Sequence, residues 1–225
     1  MTDWSACARP APIVLTGRHC RLEPLAIERH AKQLFLAYAD APDDSDWTYL
    51  THGPFADFDV YCQYLEQSLG GDDRLHFAII DPATGKALGS TGLIRITPAH
   101  GVLEIGVVTY SRALMGTIAG TEAMYLLLRH VFDTLGYRRI EWKCDHLNAR
   151  SRAAAVRYGF SFEGIFRQAM VYKGRNRDTV WYALLDSEWP QVRKGFETWL
   201  ADDNFDAQGK QRHALGDLIA RAREA

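Results

Sequence analysis

Glu104 stands as the one acidic residue in an otherwise apolar run, VLEIGVV (102–108). A carboxylate isolated among apolar neighbours is costly. Such a residue therefore works as a proton acceptor, or it faces outward at an edge, or it belongs to a structural ion pair. The same run feeds SRALMGTIAGTEA (111–123). A strand that ends in a glycine-containing loop and opens a helix presents free backbone N–H groups and the positive end of the helix dipole, which together bind phosphate oxygens. Gly116 and Gly120 allow close backbone approach, and Thr117 and Thr121 bring hydroxyls to the same place or serve simply as helix caps. The loop matches neither GxGxxG nor GxxxxGKS, which argues against dinucleotide and ATP sites. Cys144 has only His146 near it in sequence, so packing is a more ordinary role for it than nucleophilic attack.

These residues need elements to position them. VL (14–15), a turn at Thr16-Gly17 and HCRLEPL (19–25) read as a short strand pair. Helical spacing of apolar residues runs through 26–39 and again through 57–69, where Gly70-Gly71 stops it. Three strands follow: 75–81, 86–97 and 102–110. The period then changes to helical from Thr117 to Leu135, and Gly136 ends it. RRIEWKC reads as a strand, 149–158 as a short helix, and 160–173 and 177–186 as two strands joined by a turn at Gly174-Arg175-Asn176. This order predicts an α/β (α+β) fold around a mixed sheet, with a parallel pair where the 118–135 helix crosses over. The expected organisation is an N-terminal arm (1–12), one domain (13–189) and a polar C-terminal helical extension (190–225). The extension carries Phe196, Trp199, Leu200 and Phe205, an apolar face that a self-docking helix or a homodimer would cover.

Bulk properties exclude several classes. The chain has 225 residues, 47% hydrophobic, with a net charge of -2, so it is globular and has no global pull toward nucleic acid or an anionic membrane. Its four cysteines form no CxxC pair and no zinc spacing, which suits reduced thiols and no metal. The first residues lack a signal-peptide pattern and no apolar run is long enough to span a bilayer; the expected setting is cytoplasmic.

EIG on a strand, then TEA, LGY, NARS, YGF, FEGIFR and GRNRDTVWYALLDSEWP form an ordered set. Across about residues 13–190 this set resembles the GNAT superfamily of N-acetyltransferases, in particular the branch of ribosomal-protein alanine N-acetyltransferases. The resemblance implies a strongly twisted sheet of about seven strands whose fourth and fifth strands splay, and acetyl-CoA as cosubstrate. It implies that the backbone of Val107, Val108 and Thr109 pairs with the pantetheine arm. The loop Met115, Gly116, Thr117, Ile118, Ala119, Gly120 and Thr121 would hold the pyrophosphate, and Asn148 and Ser151 would contact the cofactor. As catalytic residues it implies Glu104 as base, directly or through water, the Val108 N–H as donor to the developing oxyanion, and Ser151 as acid or hydrogen-bond donor to sulfur, with Tyr158 as second choice. The loop departs from the family pattern: Met115 replaces a basic or amide residue and Ile118 replaces the middle glycine. Ala155 occupies the place where many members carry an acidic tyrosine.

The expected activity is direct acetyl transfer to a primary amine, such as a protein N-terminus, in a ternary complex. The alternatives are a small-molecule amine acceptor (a polyamine or an antibiotic) and a non-catalytic CoA-binding or regulatory module. The 40–57 loop and the 57–69 helix are expected to shape the acceptor pocket.

Overall fold

The computed structural model describes residues 4–225, in two compact units that meet in sequence at Leu127 and Leu128. The first three residues of the expected arm lie outside the described residues.

In the first unit, β1 (Leu15–Thr16), β2 (Arg21–Pro24), β3 (Leu75–Ile80), β4 (Ala87–Thr97) and β5 (Val102–Tyr110) lie in chain order, each antiparallel to the next. Helices α1 (Ile27–Ala39) and α2 (Phe58–Leu69) lie between β2 and β3 in the chain. Asp57 starts α2: its carboxylate accepts from the N–H groups of Asp59 and Val60 at 2.8 and 3.0 Å. Ala31, Leu34 and Tyr38 of α1 and Tyr61 and Leu65 of α2 form a core with Ala78, Ile80 and Ala87 of the sheet. Residues 4–12 form no regular element, yet they are tied down. The Trp4 indole donates to the Ala99 carbonyl at 2.8 Å, the Cys7 N–H to Pro98 at 3.1 Å, and the Arg9 guanidinium to Asp72.

Helix α3 (Ile118–Arg129) follows β5. Its expected last turns differ: residues His130–Thr134 widen into a π-helical turn, closed by bonds from Leu135 N–H to His130 and from Tyr137 N–H to Val131. Glu122, in the first turns of α3, is buried, and its carboxylate accepts from three backbone donors of the β1–β2 turn: Arg18 (2.9 Å), His19 (2.6 Å) and Cys20 (2.9 Å). A side chain at Gly17 would collide with this carboxylate. The glutamate of the TEA triplet is therefore the fastener between α3 and the first hairpin.

In the second unit, β6 (Arg139–Asp145), β7 (Ser161–Tyr172) and β8 (Arg175–Leu185) are antiparallel, with β8 in the middle and α4 (Ala149–Arg157) between β6 and β7 in the chain. The β7–β8 turn falls one residue earlier than the sequence suggests. Arg175 and Asn176 already pair with Tyr172 and Val171, and the two loop residues are Lys173 and Gly174, at φ 47° and 72°. Two successive positive φ values are what a two-residue hairpin loop of matching twist requires. Helices α5 (Trp189–Leu200) and α6 (Leu215–Glu224) complete the unit. They cross where Gly195 lies against Ile219, Phe196 and Leu215 are fully buried, and the Arg223 guanidinium donates to the Gly159 carbonyl at 2.7 Å. The apolar face of the extension is thus covered in part within the chain itself. The described residues thus contain eight strands where about seven were expected, in a mixed α/β arrangement with C-terminal helices.

Removing the charge from Glu122 tests the fastener. Hydrogen bonds to a charged group contribute about 1.5–3 kcal/mol each. Glu122→Gln keeps one acceptor oxygen and Glu122→Ala keeps none, so chemical denaturation should show a loss of about 2 kcal/mol for the first and a larger one for the second. Equal stabilities for all three proteins would show that the carboxylate fastens nothing.

Candidate active site

Strand β5 is irregular where its chemistry was expected. Gly106 pairs with Gly92 and Thr109 pairs with Ser90, so Val107 and Val108 together face Thr91 alone. This is a β-bulge, and Val107 adopts φ 51° within it. A β-branched residue in the left-handed region is strained and persists only where its surroundings impose it. One such constraint is visible just beyond: the Tyr38 hydroxyl donates to the Thr109 carbonyl at 3.1 Å and lies 3.1 Å from the Ser90 hydroxyl. Burial pushes the Tyr38 phenol up, so it stays a donor. A bulge interrupts the ladder and turns backbone groups away from it. Val107 and Val108 are half-buried. Of the three residues expected to pair with a ligand backbone, Thr109 already has its carbonyl engaged.

Glu104 lies two residues before Gly106, opposite Ile94. It is 7% exposed, and the Arg95 guanidinium approaches to 3.6 Å, longer than a hydrogen bond. Arg95 sits in a second irregularity, at φ 51°, and its side chain is mostly exposed. Glu104 is therefore not an outward edge residue, and the Arg95 approach is one of its contacts.

The loop between β5 and α3 sorts its residues clearly. The N–H groups of Leu114 and Met115 bond to the Ser111 carbonyl, and that of Thr121 to the Thr117 carbonyl. The Thr117 hydroxyl donates to the Leu114 carbonyl at 2.8 Å and accepts from the Gly120 N–H at 3.1 Å, which caps the helix. Thr121 likewise turns its hydroxyl to Thr117 at 3.3 Å. Gly120 is a packing glycine: a Cβ there would lie 2.8 Å from the Leu114 carbonyl and 3.1 Å from the Tyr110 ring, whose hydroxyl donates to the Gly120 carbonyl at 3.0 Å. Gly116, at φ 72°, has open space around it. Among the described residues the N–H groups of Gly116, Ile118 and Ala119 have no acceptor. These three, with the dipole of α3, are the anion-binding capacity of the loop.

On the second unit, Asn148 caps α4, its side-chain oxygen accepting from the Ser151 N–H at 3.0 Å, and its amide nitrogen has no partner among the described residues. Ser151 accepts from the Trp142 indole at 3.0 Å and lies beside the Cys144 thiol. Burial pushes that thiol up, away from the thiolate a nucleophile needs. Tyr158 is buried and stacked on Phe196 at 6.1 Å, a packing role. Ala155 is fully buried. Asp178 accepts from the Gln168 N–H at 2.7 Å and from the Asn176 amide at 3.0 Å, which holds its carboxyl low and supports the β7 bulge. No cluster of three or more His, Cys, Asp or Glu among the described residues is arranged to hold a metal ion.

One feature had no sequence signal beyond its approximate span. Helix α1, the 40–57 loop and α2 line an open cavity of about 80 Å³, walled by aromatic rings including Tyr38 and Trp47. The rings are spread over 35–61, with no period that groups them.

The acetyltransferase (GNAT) domain model matches residues 19–161, more than half of the chain. The chain belongs to the GNAT acetyltransferases. A GCN5-related N-acetyltransferase structure from Brucella melitensis superposes with a TM-score of 0.95 and 43% identity, covering 98% of this chain and 100% of that one. The uncharacterized N-acetyltransferase p20 of Bacillus licheniformis is 30% identical over 145 residues, 63% of this chain and 80% of p20. The putative ribosomal N-acetyltransferase YdaF of Bacillus subtilis is 30% identical over 105 residues, 47% of this chain and 57% of YdaF. The GNAT family uses acetyl-CoA and transfers its acyl group. No helix of this acetyltransferase, among the described residues, is long and apolar enough to cross a membrane.

The two loop glycines of this GNAT enzyme should respond differently. Gly120→Ala presses on the Leu114 carbonyl and the Tyr110 ring and distorts the start of α3; calorimetry should show acetyl-CoA binding weakened about tenfold, the size of one lost charge-assisted bond. Gly116→Ala meets no neighbour and pays for the left-handed backbone alone, about 1 kcal/mol of stability. If Gly116→Ala weakens binding as much as Gly120→Ala does, the division between packing and conformational glycines is wrong.

Proposed function

We propose that this GNAT acetyltransferase moves acetyl from acetyl-CoA to a primary amine by direct attack in a ternary complex. The observation that carries the reading is the bulge at Val107–Val108 on the strand that also holds Glu104. Acetyl-CoA supplies an activated thioester; the chain must bind it, deprotonate the amine, and meet the charge that develops. Gly116, Ile118 and Ala119 retain unpaired N–H groups suited to the pyrophosphate, and Val107, Val108 and Thr109 are assigned to the pantetheine arm. The other members of the loop, Met115, Thr117, Gly120 and Thr121, shape it. Glu104 accepts the proton of the ammonium directly or through water. The Val108 N–H donates to the thioester oxygen; a donor fixed beforehand needs no reorganisation as charge appears. Asn148 has an amide donor to spare for the cofactor, and Ser151 is assigned as donor to the leaving sulfur. A thiol of pKa about 8.5 leaves readily, so a weak acid suffices. The buried Cys144 supports direct transfer over a two-step route. The same reading takes 13–189 as the catalytic domain, between the arm and the extension.

Two acceptor classes fit. Likeness to the ribosomal-protein alanine N-acetyltransferases, and to the putative ribosomal N-acetyltransferase YdaF, favours a protein N-terminus. The aromatic cavity favours a small amine, because apolar ring walls with a few polar groups at the rim are the lining of small-molecule sites.

Glu104→Gln tests the base. General base catalysis contributes about 10²–10⁴-fold. The expected loss in kcat/KM is about 10²-fold near pH 6, where the amine is protonated, shrinking toward pH 9, where more free amine is present. A rate that does not change with the substitution anywhere in that range removes Glu104 from the mechanism.

A further inference from the structure

The 40–57 loop is fastened at two places, and the second belongs to the turn that leads into the anion-binding loop. From inside, Trp47 is the anchor. It is 7% exposed and stands edge-on to Tyr38 at 5.6 Å and 88°, and a Cβ at Gly53 would lie 2.4 Å from its ring, so the loop folds back upon it. From outside, Arg112 holds the short 3₁₀ turn Asp44–Trp47. Its Nε donates to the Asp46 carboxylate at 2.6 Å, and its Nη2 donates to the Ser45 hydroxyl at 3.3 Å. Asp43 starts the same turn by accepting from the Ser45 N–H at 2.9 Å. The Asp46 and Arg112 side chains are 15% and 34% exposed, so water and salt screen this pair less than a pair lying open on the surface.

Arg112 lies where the anion-binding N–H groups are prepared. The Ser111 N–H donates to the Leu88 carbonyl at 3.0 Å, and the Ser111 carbonyl accepts from Leu114 and Met115. The Leu114 carbonyl accepts from the Thr117 hydroxyl at 2.8 Å, and Gly116 stands between these two residues. Three residues before Arg112, the Thr109 carbonyl accepts from Tyr38, the ring against which Trp47 packs. The contacts close a circuit: Arg112 to Asp46, Trp47 to Tyr38, Tyr38 to Thr109, and a short length of chain back to Arg112. Packed and hydrogen-bonded chains of this kind carry energetic coupling between sites.

We infer that Arg112 is a positioning residue that couples the cofactor loop to the 40–57 loop, so that an anion held by the Gly116, Ile118 and Ala119 N–H groups orders the loop that borders the acceptor. Arg112 acts through Asp46 and Ser45 and touches neither ligand. Phosphate oxygens on the three N–H groups fix the turn from Ser111 to Thr117, and Arg112 with it; the 3₁₀ turn then has a fixed partner. Coupling of this kind is reciprocal, so a loop held by an acceptor also holds the turn for the cofactor. The inference rests on the acetyltransferase reading for the identity of the two ligands, and on the contacts alone for the link between the loops.

The test uses the full chain with CoA as the probe. Calorimetry establishes that CoA binds, and backbone hydrogen exchange follows residues 40–57 with and without it. In the native chain CoA should slow exchange there about fivefold, the low end of coupling between sites. Arg112→Gln should abolish that protection, and the exchanged pair Arg112→Asp with Asp46→Arg should restore it. A purely local ion pair would instead raise exchange equally with and without CoA. Thiol release from acetyl-CoA, with n-pentylamine or an unblocked peptide as acceptor, should show the acceptor KM raised about fivefold in Arg112→Gln while kcat stays within about twofold. Bound CoA that leaves 40–57 unprotected, protection that persists in Arg112→Gln, or an acceptor KM that does not move overturns the coupling and leaves the acetyltransferase reading standing. Protection that depends on Arg112, with no acetylation of any primary amine or peptide, supports the coupling and overturns the transfer reading. Absence of CoA binding overturns both.

Discussion

The Tyr38 hydroxyl reaches from α1 to the sheet, donating to the Thr109 carbonyl at 3.1 Å and meeting Ser90 at 3.1 Å. Ser90 and Thr109 are the first regular pair after the bulge, so this bond fixes one end of the irregular stretch. Without it, β5 could relax toward a regular ladder, return Val107 to an ordinary strand conformation, and flip the register beyond it. The aromatic cavity depends on the same residue, because Tyr38 is also one of its walls. One phenol therefore couples the strained strand to the space beside it. Its burial, which keeps it protonated, is what makes it a dependable donor.

Three buried carboxylates in the first unit show how environment separates structural from chemical use. Glu122 accepts from three backbone N–H groups, and its capacity is filled. Glu23 is held by Arg21 at 2.6 Å and Arg29 at 2.8 Å, with His30 at 3.3 Å; burial works against its charge, but these partners hold its carboxyl below the usual range. The Ala26 N–H donates to His30 Nδ1, so the proton of the neutral ring sits on Nε2 and points to Glu23. Glu104 is buried on the strand that carries the bulge, with the Arg95 guanidinium at 3.6 Å on a largely exposed side chain. A saturated carboxylate cannot take a proton without breaking what it holds, so Glu122 and Glu23 are structural, and the argument for Glu104 is its place on β5.

Much of this was legible because it follows from period and punctuation. The apolar run in 75–80, the helical stripe from 118, and the glycines at 136 and 174 mark elements whose bounds fall within a few residues of expectation. The misses share a cause. The bulge at Val107 carries no sequence mark, since nothing about a valine between Gly106 and Val108 announces a positive φ. The hairpin turn was displaced because Lys173, not Asn176, takes the left-handed position. The cavity was legible only as a span: its rings, between Phe35 and Tyr61, follow no single period, and the hydroxyl contacts that tie Tyr38 to the sheet run across 52 and 71 positions. The set NARS was recognised, but the use of Ser151 as acceptor for the Trp142 indole was not, because that bond joins two elements.

The loop that departs from the family pattern illustrates why backbone chemistry tolerates such change. Ile118 stands where a glycine is usual, yet it supplies the same N–H, and no acceptor within the described residues uses it. The glycine that the geometry needs is Gly120, where a side chain would collide with the Leu114 carbonyl. Met115 replaces a polar side chain, and its N–H is already bonded to Ser111. Thr117 organises the whole turn, accepting from Gly120 while donating to Leu114. The substitutions thus remove side-chain charge and add bulk while leaving three donors and the helix dipole in place. Phosphate oxygens are bound through N–H groups and the dipole at such a helix start, so a chain can lose the side-chain signature of the loop and keep its capacity, provided the cap holds the N–H groups in their positions.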